Sequence, residues 1–547
     1  MKLLCSVLFS CMVFTASAQS NMDVLHYKFS IELNDNNDTI QGMAQIVVFV
    51  KKGTRNLTFD LTGDTDNKKG MEAWGIIVTY PGIDKTKITD PAVLDAHVLP
   101  NDFIHKNDRL VVKLWRALTN DDTLTATIYY KGKPSNGLII SKNRFGKRTF
   151  FSDNWPNRAH DWLPCVDDPA DKASVEFIVT APSNYQVVSN GVLAEETDLP
   201  DNKKLTHWKE DVPVPTKVMV IGVAEFAVQY TGFVNNCISV SSWVYPENKA
   251  EGYYDYAIAK DVLAWHINYI GPYAYKKLAN VQAKTMFGGM ENAGAIFYAE
   301  ELVNGNGSLE DLISHEIVHQ WFGNSATEKS FAHLWLSEGF ATYLTHVYIE
   351  SKYGTDSLNN RMAADRETVL DFVRYTRRPV IDSTTAYMSL LNANSYQKGS
   401  WVLHMLRRQL GDAIFHKSIR DYYASYAGKN ADTKDLQKVF EANSGKKLDD
   451  FFQQWLFTNE NPVIKIKWKN IKKEGKVAIT VEQLQNRLFE FPLDINLISG
   501  LGKNKAEKLL ITKKTETFYF PVKYGILKVE IDYNTSVLAD IVTTQIQ

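Results

Sequence analysis

Three stretches of different hydrophobic periodicity follow one another along the chain, and their order limits the fold more than any other feature. From about Asn21 to about Phe226, alternating runs such as YKFSIEL and AQIVVFV are separated by Asn, Asp, Gly and Pro, which is typical of antiparallel sheet. From about Tyr253 to about Phe457, helical periodicity takes over, as in YYDYAIAKDVLAWHINYI. Strands return after Asn461 with VIKIKW and ILKVEIDY. We therefore predict a multidomain α+β protein with an N-terminal antiparallel β domain, a helix-rich middle domain and a C-terminal β-sandwich.

Length and charge narrow the range of functions. A chain of 547 residues that is 44% hydrophobic can bury a large core and is too long for one domain. We place the domain bounds at 19–226, 227–457 and 458–547, after an N-terminal segment 1–18. The 61 Lys and Arg residues nearly balance the 63 Asp and Glu residues, so no global field would hold the chain on nucleic acid. We expect no nucleic-acid partner.

The first eighteen residues have the composition of a secretory signal peptide. Lys2 precedes an apolar stretch from Leu3 to Phe14, and Ala16 and Ala18 stand at the positions of a cleavage signal. A buried N-terminal helix or a membrane anchor is the alternative, but the stretch is too short to span a bilayer. We expect cleavage after Ala18 and export to a periplasm or to the outside of the cell. No later segment is apolar enough to predict a transmembrane helix.

Two cysteines, Cys165 and Cys237, would remain after that cleavage. An exported protein could join them, but one possible bridge does not make a disulfide framework. We expect two buried thiols.

The middle region contains the sequence SHEIVHQWFGN, in which two histidines are four residues apart. Ser308 and Asp311 resemble a capping pair and the apolar residues follow helical spacing, so we predict a helix here. On a helix, His315 and His319 project from nearly the same side, with Glu316 close beside them. The H-E-x-x-H pattern suits zinc but also arises by chance, and a helix whose histidines simply bond to neighbours is the alternative.

A glutamate further along the chain supports the metal-binding interpretation. Glu338 follows His319 after eighteen intervening residues, within the apolar helix HLWLSEGFATYL, where an ordinary solvated Glu would not be expected. Two neutral imidazoles and one carboxylate would leave zinc with an open position, which lowers the pKa of a bound water to about 7. Glu316 would lie next to that water without being a ligand and could take its proton.

These residues resemble a known family, the zinc aminopeptidases of the aminopeptidase N and leukotriene hydrolase group. Its gluzincin signature is H-E-x-x-H, eighteen residues, then E, and further segments agree in the same order. GGMENAG resembles the G-x-M-E-N exopeptidase motif, SYQKGSWVLHML the Y-x-K-G segment, and LPCVDDPADKASV the P-C-x-D-x-P stretch. The resemblance runs from about residue 150 to about residue 456. It implies that 227–457 is a thermolysin-like zinc catalytic domain.

The resemblance assigns a role to each matching residue. It implies one zinc ion per chain, bound by His315, His319 and Glu338, with Glu316 as general base. It places Tyr396 at the oxyanion of the tetrahedral intermediate. The residues implied to bind the substrate are Glu291, which would hold the free α-amine, with Gly288, Gly289, Met290 and Asn292 of the same motif, and Asp153, which falls where the family has a second amine contact.

We therefore predict a zinc-dependent aminopeptidase that hydrolyses the N-terminal peptide bond, acting on peptides with a free N-terminus. A zinc endopeptidase of thermolysin type is an alternative, but it would need no amine anchor, and GGMEN argues against it. A catalytically silent peptide-binding protein on the same scaffold usually lacks a ligand or the base, and all are present here. The sequence predicts neither the preferred N-terminal residue nor the oligomeric state.

Overall fold

A computed structural model describes residues 21–64, 68–80, 102–499 and 504–545 of the chain. The predicted signal segment 1–18 lies outside the described residues. The chain begins with β-sheets, continues with a helix-rich region and ends with further β-sheets, so the predicted multidomain α+β class is confirmed. The predicted domain bounds remain predictions.

The N-terminal region is built around a seven-stranded sheet with strand order β12-β13-β10-β1-β2-β7-β4. Alternate residues of β10 are buried, as the alternating sequence predicts. One detail of the prediction is wrong, because β1 and β10 pair in parallel within this otherwise antiparallel sheet. Parallel neighbours need a long connection, which residues 33–171 supply. The strands of this region are β1 Met22–Glu32, β2 Ile40–Val50, β3 Asn56–Asp60, β4 Gly70–Thr79, β5 Phe103–Lys106, β6 Arg109–Lys113, β7 Thr123–Lys133, β8 Leu138–Lys142, β9 Arg148–Ser152, β10 Lys172–Pro182, β11 Gln186–Ser189, β12 Val192–Leu199, β13 Lys203–Pro215 and β14 Ile221–Ala224.

The middle region combines a five-stranded sheet with packed helices. The sheet has the order β15-β16-β17-β19-β18, which leaves the two-residue strand β18 at its edge. Its strands, with the short pair β20 and β21, are β15 Ala227–Val234, β16 Ile238–Val244, β17 Lys277–Ala283, β18 Gly289–Met290, β19 Ala295–Ala299, β20 Thr327–Glu328 and β21 Asn430–Ala431. The helices are α1 Lys249–Tyr256, α2 Ala259–Ile270, α3 Glu310–His319, α4 Trp335–Tyr353, α5 Thr355–Tyr375, α6 Gly399–Leu410, α7 Asp412–Tyr426, α8 Thr433–Ser444 and α9 Asp449–Leu456.

Helices α3 and α4 are the two that the sequence motifs predict. Helix α3 has no side-chain cap, and its N-cap position is Leu309, so the predicted capping role of Ser308 is wrong. Helix α4 is buried over its first fifteen residues, from Trp335 to Ile349. Burial of this apolar length rather than capping therefore holds the pair in place.

The C-terminal region contains two sheets, ordered β26-β23-β22-β28 and β25-β24-β27, whose apolar faces join the same core as the helices. Their strands are β22 Val463–Ile471, β23 Lys476–Gln483, β24 Phe491–Ser499, β25 Asn504–Ile511, β26 Thr515–Pro521, β27 Ile526–Ile531 and β28 Asp540–Gln545.

The structure also bears on the predictions about the two cysteines and about transmembrane helices. Cys165 and Cys237 are free thiols, and Cys165 is buried as predicted, whereas Cys237 is exposed. Cys237 lies in the turn between β15 and β16, where no core covers it. In the part of the chain that the structure describes, no helix has both the length and the apolar character needed to cross a bilayer.

Candidate metal centre and active site

Three side chains from α3 and α4 converge on one point. The Nε2 atoms of His315 and His319 are 3.1 Å apart, and Oε2 of Glu338 lies 3.4 Å from the first and 3.3 Å from the second. One potential ligand atom from each residue lies within 4.8 Å of the other two. One turn of α3 brings the two imidazoles to the same side, and the packing of α4 against α3 adds the carboxylate. The structure thus brings the three predicted metal ligands together.

The surroundings of the three side chains fit a metal ion. Nδ1 of His319 lies 3.0 Å from Oγ of Ser337 and 3.2 Å from the carbonyl oxygen of Phe322. A proton on Nδ1 can be donated to these acceptors, which leaves the Nε2 lone pair facing the other two residues. Oε2 of Glu338 is buried and has no hydrogen-bond partner among the described residues. Two imidazole nitrogens and a carboxylate oxygen form a donor set that zinc uses in proteins.

The three side chains shift one another's pKa values. Burial acts to lower the pKa of His319, but the nearby carboxylates, Glu338 first, raise it to about 10. Burial acts to raise the pKa of Glu338, yet the two histidines hold it well below its usual range. Burial lowers the pKa of His315. Both shifts favour opposite charges on His319 and Glu338, so a metal ion bound at Nε2 of His319 would compete with a proton.

Glu316 lies beside the three converging side chains and is 5% exposed. Burial raises its pKa well above the usual range, as expected for a carboxylate removed from solvent. A Cβ atom at Gly289 would collide with the Glu316 carboxylate. The glycine in the GGMEN segment is therefore required because the edge strand β18 passes directly over the predicted base.

Glu291 directly follows β18 and is 6% exposed. Its carbonyl oxygen accepts hydrogen bonds from Nε2 of Gln320 at 2.8 Å and from Nδ2 of Asn324 at 2.6 Å. These bonds fix its backbone beside the end of α3. Glu291 lines the same cavity as the three converging side chains, and its buried Oε1 has no hydrogen-bond partner in the described part of the chain. Burial raises its pKa. A buried acceptor without a partner is costly, so this geometry suits a bound cation.

Tyr396 lies in a single π-helical turn, Asn394–Lys398, that leads into α6. Such turns occur frequently at functional sites because they redirect one side chain. The ring of Tyr396 stacks on the ring of His315 with a centroid distance of 5.9 Å. Burial raises the pKa of its phenol well above 10, so the group stays protonated and can donate a hydrogen bond.

The remaining residues of the GGMEN segment take different positions. Gly288, Gly289 and Met290 line the cavity together with Glu291. Asn292 is 1% exposed and its carbonyl oxygen accepts a hydrogen bond from the amide of Ala295. The structure therefore places Asn292 behind the cavity wall, in the turn before β19.

Asp153, the predicted second amine contact, is fully buried and already bonded. Its Oδ1 pairs with Nη2 of Arg158 at 2.5 Å. Its Oδ2 accepts bonds from the amide of Met286 at 2.9 Å and from Oγ1 of Thr285 at 3.1 Å. In the described structure it does not line the cavity, whereas Trp155, two residues later, does. The structure thus does not bring Asp153 to the other site residues, and Asp153 instead holds the loop that leads into GGMEN.

The cavity has a volume of about 490 Å³. Sequence reasoning missed several residues of its lining, which come from the helices beyond the motif and from loops. Two of them could have been found from the spacing, because Leu312 precedes His315 by three residues and Thr342 follows Glu338 by four. The missed lining residues are Trp155, Phe287, Asp311, Leu312, Thr342, Thr345, His346, Arg361 and Leu391.

Comparison with known proteins finds matches for two long segments of the chain. The family model described as the Peptidase family M1 domain matches residues 254–455. The model of the Peptidase M1 N-terminal domain matches residues 24–218. The two matched segments together include the seven-stranded sheet, apart from the first two residues of β1, and every residue that lines the cavity.

Curated relatives are similar over part of their length. "Aminopeptidase M1-C" of Oryza sativa subsp. japonica is 29% identical over 62% of this chain and 39% of its own length. "Tricorn protease-interacting factor F2" of Thermoplasma volcanium is 28% identical over 67% of this chain and 48% of its own. "Glutamyl aminopeptidase" of Homo sapiens is 27% identical over 68% and 41%. The matched part is thus less than half of each of these relatives. The chain belongs to the peptidase M1 family.

Proposed function

We propose that this protein is an exported zinc aminopeptidase, which hydrolyses the N-terminal peptide bond of peptides. One observation carries the proposal. Glu291 lines the same cavity as His315, His319 and Glu338, and its buried Oε1 has no partner among the described residues. An α-ammonium group is the cation that every unblocked peptide offers at a fixed distance from its first peptide bond. The anchor therefore selects the free end of a peptide.

The chemistry follows from the residues around the anchor. A zinc ion held by His315, His319 and Glu338 would supply Lewis acidity toward a peptide carbonyl and a water, and its charge would lower the raised pKa values of the nearby glutamates. The carboxylate of Glu316 accepts a proton from the attacking water as the new C–O bond forms. It then passes this proton to the leaving amine as the C–N bond breaks.

Two further side chains assist this step. The phenol of Tyr396, which remains protonated because it is buried, donates a hydrogen bond to the oxyanion that develops on the former carbonyl oxygen. Glu291 accepts a hydrogen bond from the α-ammonium group and so fixes which peptide bond lies beside Glu316. Positioning and charge stabilisation thus come from different elements, β18 and the turn before α6.

The two alternative functions are less well supported. An endopeptidase of thermolysin type would have to admit chain beyond the first residue, where the buried carboxylate of Glu291 would remain without a partner. A silent peptide-binding protein would need no base, whereas Glu316 is retained beside Gly289, whose lack of a side chain makes room for it. The names of the relatives also support an aminopeptidase for this chain.

An assay of the mature, zinc-loaded protein on a panel of aminoacyl chromogenic amides tests the proposal. We expect turnover of at least one amide with a free amine and none of its N-acetylated counterpart. Absence of turnover across the panel, with zinc stoichiometrically bound, would contradict the enzyme assignment. Efficient internal cleavage of an acetylated peptide would identify an endopeptidase. Export is tested separately, by N-terminal sequencing of the protein secreted by its host, where we expect a chain that starts at Gln19.

A further inference from the structure

Residues 291–294, which we call the anchor turn, carry the proposed amine anchor at their start. They follow β18, an edge strand whose pairing with β19 consists of Gly289 and Met290. The pairing that the structure shows therefore ends one residue before Glu291. Contacts other than strand pairing must fix the point from which the Glu291 side chain enters the cavity.

Gln320 supplies three such contacts with one amide group. This residue directly follows α3 and is buried. Its Nε2 donates hydrogen bonds to the carbonyl oxygen of Glu291 at 2.8 Å and to the carbonyl oxygen of Glu316 at 3.3 Å. Its Oε1 accepts a hydrogen bond from the amide of Gly294 at 2.9 Å. One side chain thus joins both ends of the anchor turn to the residue that we propose as the base.

A second side chain from the same segment binds the same carbonyl group. Nδ2 of Asn324, which is also buried, donates to the carbonyl oxygen of Glu291 at 2.6 Å. A carbonyl oxygen has two lone pairs, so it can accept both amide donors at once. The backbone of Glu291 is therefore tied to the segment that follows α3 at two points.

The other side of the anchor turn is bound by different parts of the protein. Nδ2 of Asn190, in the N-terminal region, donates to the carbonyl oxygen of Ala293 at 2.8 Å. Nζ of Lys277, on β17, donates to the carbonyl oxygen of Gly294 at 3.0 Å. These bonds hold the turn in the protein, whereas the two side-chain amides after α3 set its distance from that helix.

The distance from the anchor to the base must match the substrate. In an α-amino acid, one carbon atom separates the ammonium nitrogen from the carbonyl carbon that the water attacks. With the nitrogen held at Glu291, a second intervening carbon would move the carbonyl by about 1.5 Å, the length of one C–C bond. A displacement of about 1 Å can lower a rate by about 10²-fold. The separation of Glu291 from Glu316 therefore affects which amino acids are cleaved.

We propose that Gln320 is a positioning residue that sets this separation and makes the enzyme specific for α-amino acids over β-amino acids at the N-terminus of a substrate. Among the described residues, Gln320 lies outside the cavity lining, so it acts through Glu291 and Glu316. Asn324 supports the same separation with its single bond. The inference rests on the proposed function, since it requires an anchor for the amine and a base for the water.

The test compares two chromogenic amides that share their side chain. One carries the amino acid that the wild-type enzyme cleaves fastest, and the other carries its β-homologue, which has one additional CH₂ group before the carbonyl. Alanine and β-homoalanine are the reference pair. We expect kcat/KM of wild type to be about 10²-fold or more higher for the α-amino acid. Equal values for the two amides would overturn the proposal.

Gln320→Met keeps the length of the side chain and removes all three hydrogen bonds. We expect the ratio of α to β substrate to fall to about ten or less, because the anchor turn can move relative to the base. The loss should appear in kcat for the α substrate, with KM changed by less than about threefold, since Glu291 still binds the ammonium group. A wild-type ratio in this variant would overturn the proposal.

Gln483→Met is the matched control. Gln483, at the end of β23, is also buried, and its Nε2 donates to the carbonyl oxygens of Phe489 at 2.8 Å and Lys513 at 3.2 Å. Its Oε1 accepts a hydrogen bond from the amide of Phe489 at 3.0 Å. The control therefore loses the same kinds of bonds in the C-terminal region and should keep the wild-type ratio. A fall of equal size in the control would show that general loosening, rather than the anchor turn, causes the effect, and would overturn the proposal.

Asn324→Ala is a second, milder variant. It removes one of the two bonds to the Glu291 carbonyl and should lower the ratio by about threefold or more, the effect of one hydrogen bond. If Gln320→Met yields no folded protein, this variant decides, and an unchanged ratio would then overturn the proposal.

Both amides are measured on one enzyme sample, so a loss of folded or zinc-loaded protein cancels in the ratio. Turnover of the α-aminoacyl amide by wild type reports the proposed function separately. Such turnover, with the same ratio in wild type and Gln320→Met, would refute this inference and leave the aminopeptidase intact. No turnover of any α-aminoacyl amide by the zinc-loaded wild type would refute the proposed function.

Discussion

Replacement of Glu291 by Gln is the most direct perturbation of the proposed amine anchor. The substitution keeps the shape of a side chain that is 6% exposed and removes only its charge. Oε1 has no hydrogen-bond partner within the described residues, so the change breaks no internal bond at that atom. The effect should therefore fall on the substrate rather than on folding.

The magnitude follows from the burial of the pair that is lost. Breaking a buried ion pair by removing one partner costs about 3–5 kcal/mol. This corresponds to a loss of about 10²- to 5 × 10³-fold in kcat/KM for a peptide with a free amine. An N-acetylated peptide offers no cation, so wild type should discriminate against it by a similar factor. The variant should lose most of this discrimination, because the group that separates the two peptides is gone.

The assay measures kcat/KM for the free and the acetylated form of one peptide, in wild type and in the variant. Glu301→Gln is the matched control, since Glu301 is an exposed glutamate outside the cavity lining. We expect the ratio of free to acetylated rates to fall steeply in Glu291→Gln and to stay constant in the control. A variant that keeps the wild-type ratio would refute the assignment of Glu291 as the anchor.

Four further substitutions separate the other roles. Glu338→Ala should leave zinc below stoichiometric after dialysis, as measured by elemental analysis, because one of three ligands is missing; full retention would remove it from the ligand set. Glu316→Gln should retain zinc and lose about 10²–10⁴-fold in kcat, and a near-normal rate would exclude it as the base. Tyr396→Phe should lower kcat by about 10²–10³-fold, the effect of one missing oxyanion donor, with zinc unchanged. Gly289→Ala should retain zinc but lose kcat, because the added Cβ displaces the Glu316 carboxylate, whereas Gly288→Ala, whose Cβ would meet only Cδ1 of Leu302 at 3.9 Å, should remain active. Equal activity of the two alanine variants would show that β18 does not constrain the base.

Local spacing allowed the central part of the site to be predicted from the sequence. His315 and His319 had to lie on one side because a helix repeats every 3.6 residues, and the structure places their Nε2 atoms 3.1 Å apart. Glu338 was recognised because a carboxylate in an apolar helix needs a cation. The order of β and helical regions could also be predicted from the sequence, because hydrophobic alternation and helical periodicity are properties of short segments.

Contacts between residues that are far apart in the sequence could not be predicted from local spacing. The resemblance implied that Asp153 contacts the substrate amine. In the structure, the Asp153 carboxylate instead accepts hydrogen bonds from Arg158 and from the amide of Met286, which lies 133 positions later in the chain. The parallel pairing of β1 with β10 depends in the same way on contacts between distant segments.

The position of His346 in the cavity lining was decided by the tertiary structure alone. The sequence shows no motif around His346, and only the packing of α5 against α4 gives its Nε2 a partner in Asp365. The hydrogen bond of His346 depends on a contact between two helices rather than on a spacing within one helix. The sequence by itself thus determined the groups that carry out the proposed chemistry, whereas the packing of distant segments decided which other side chains line the cavity.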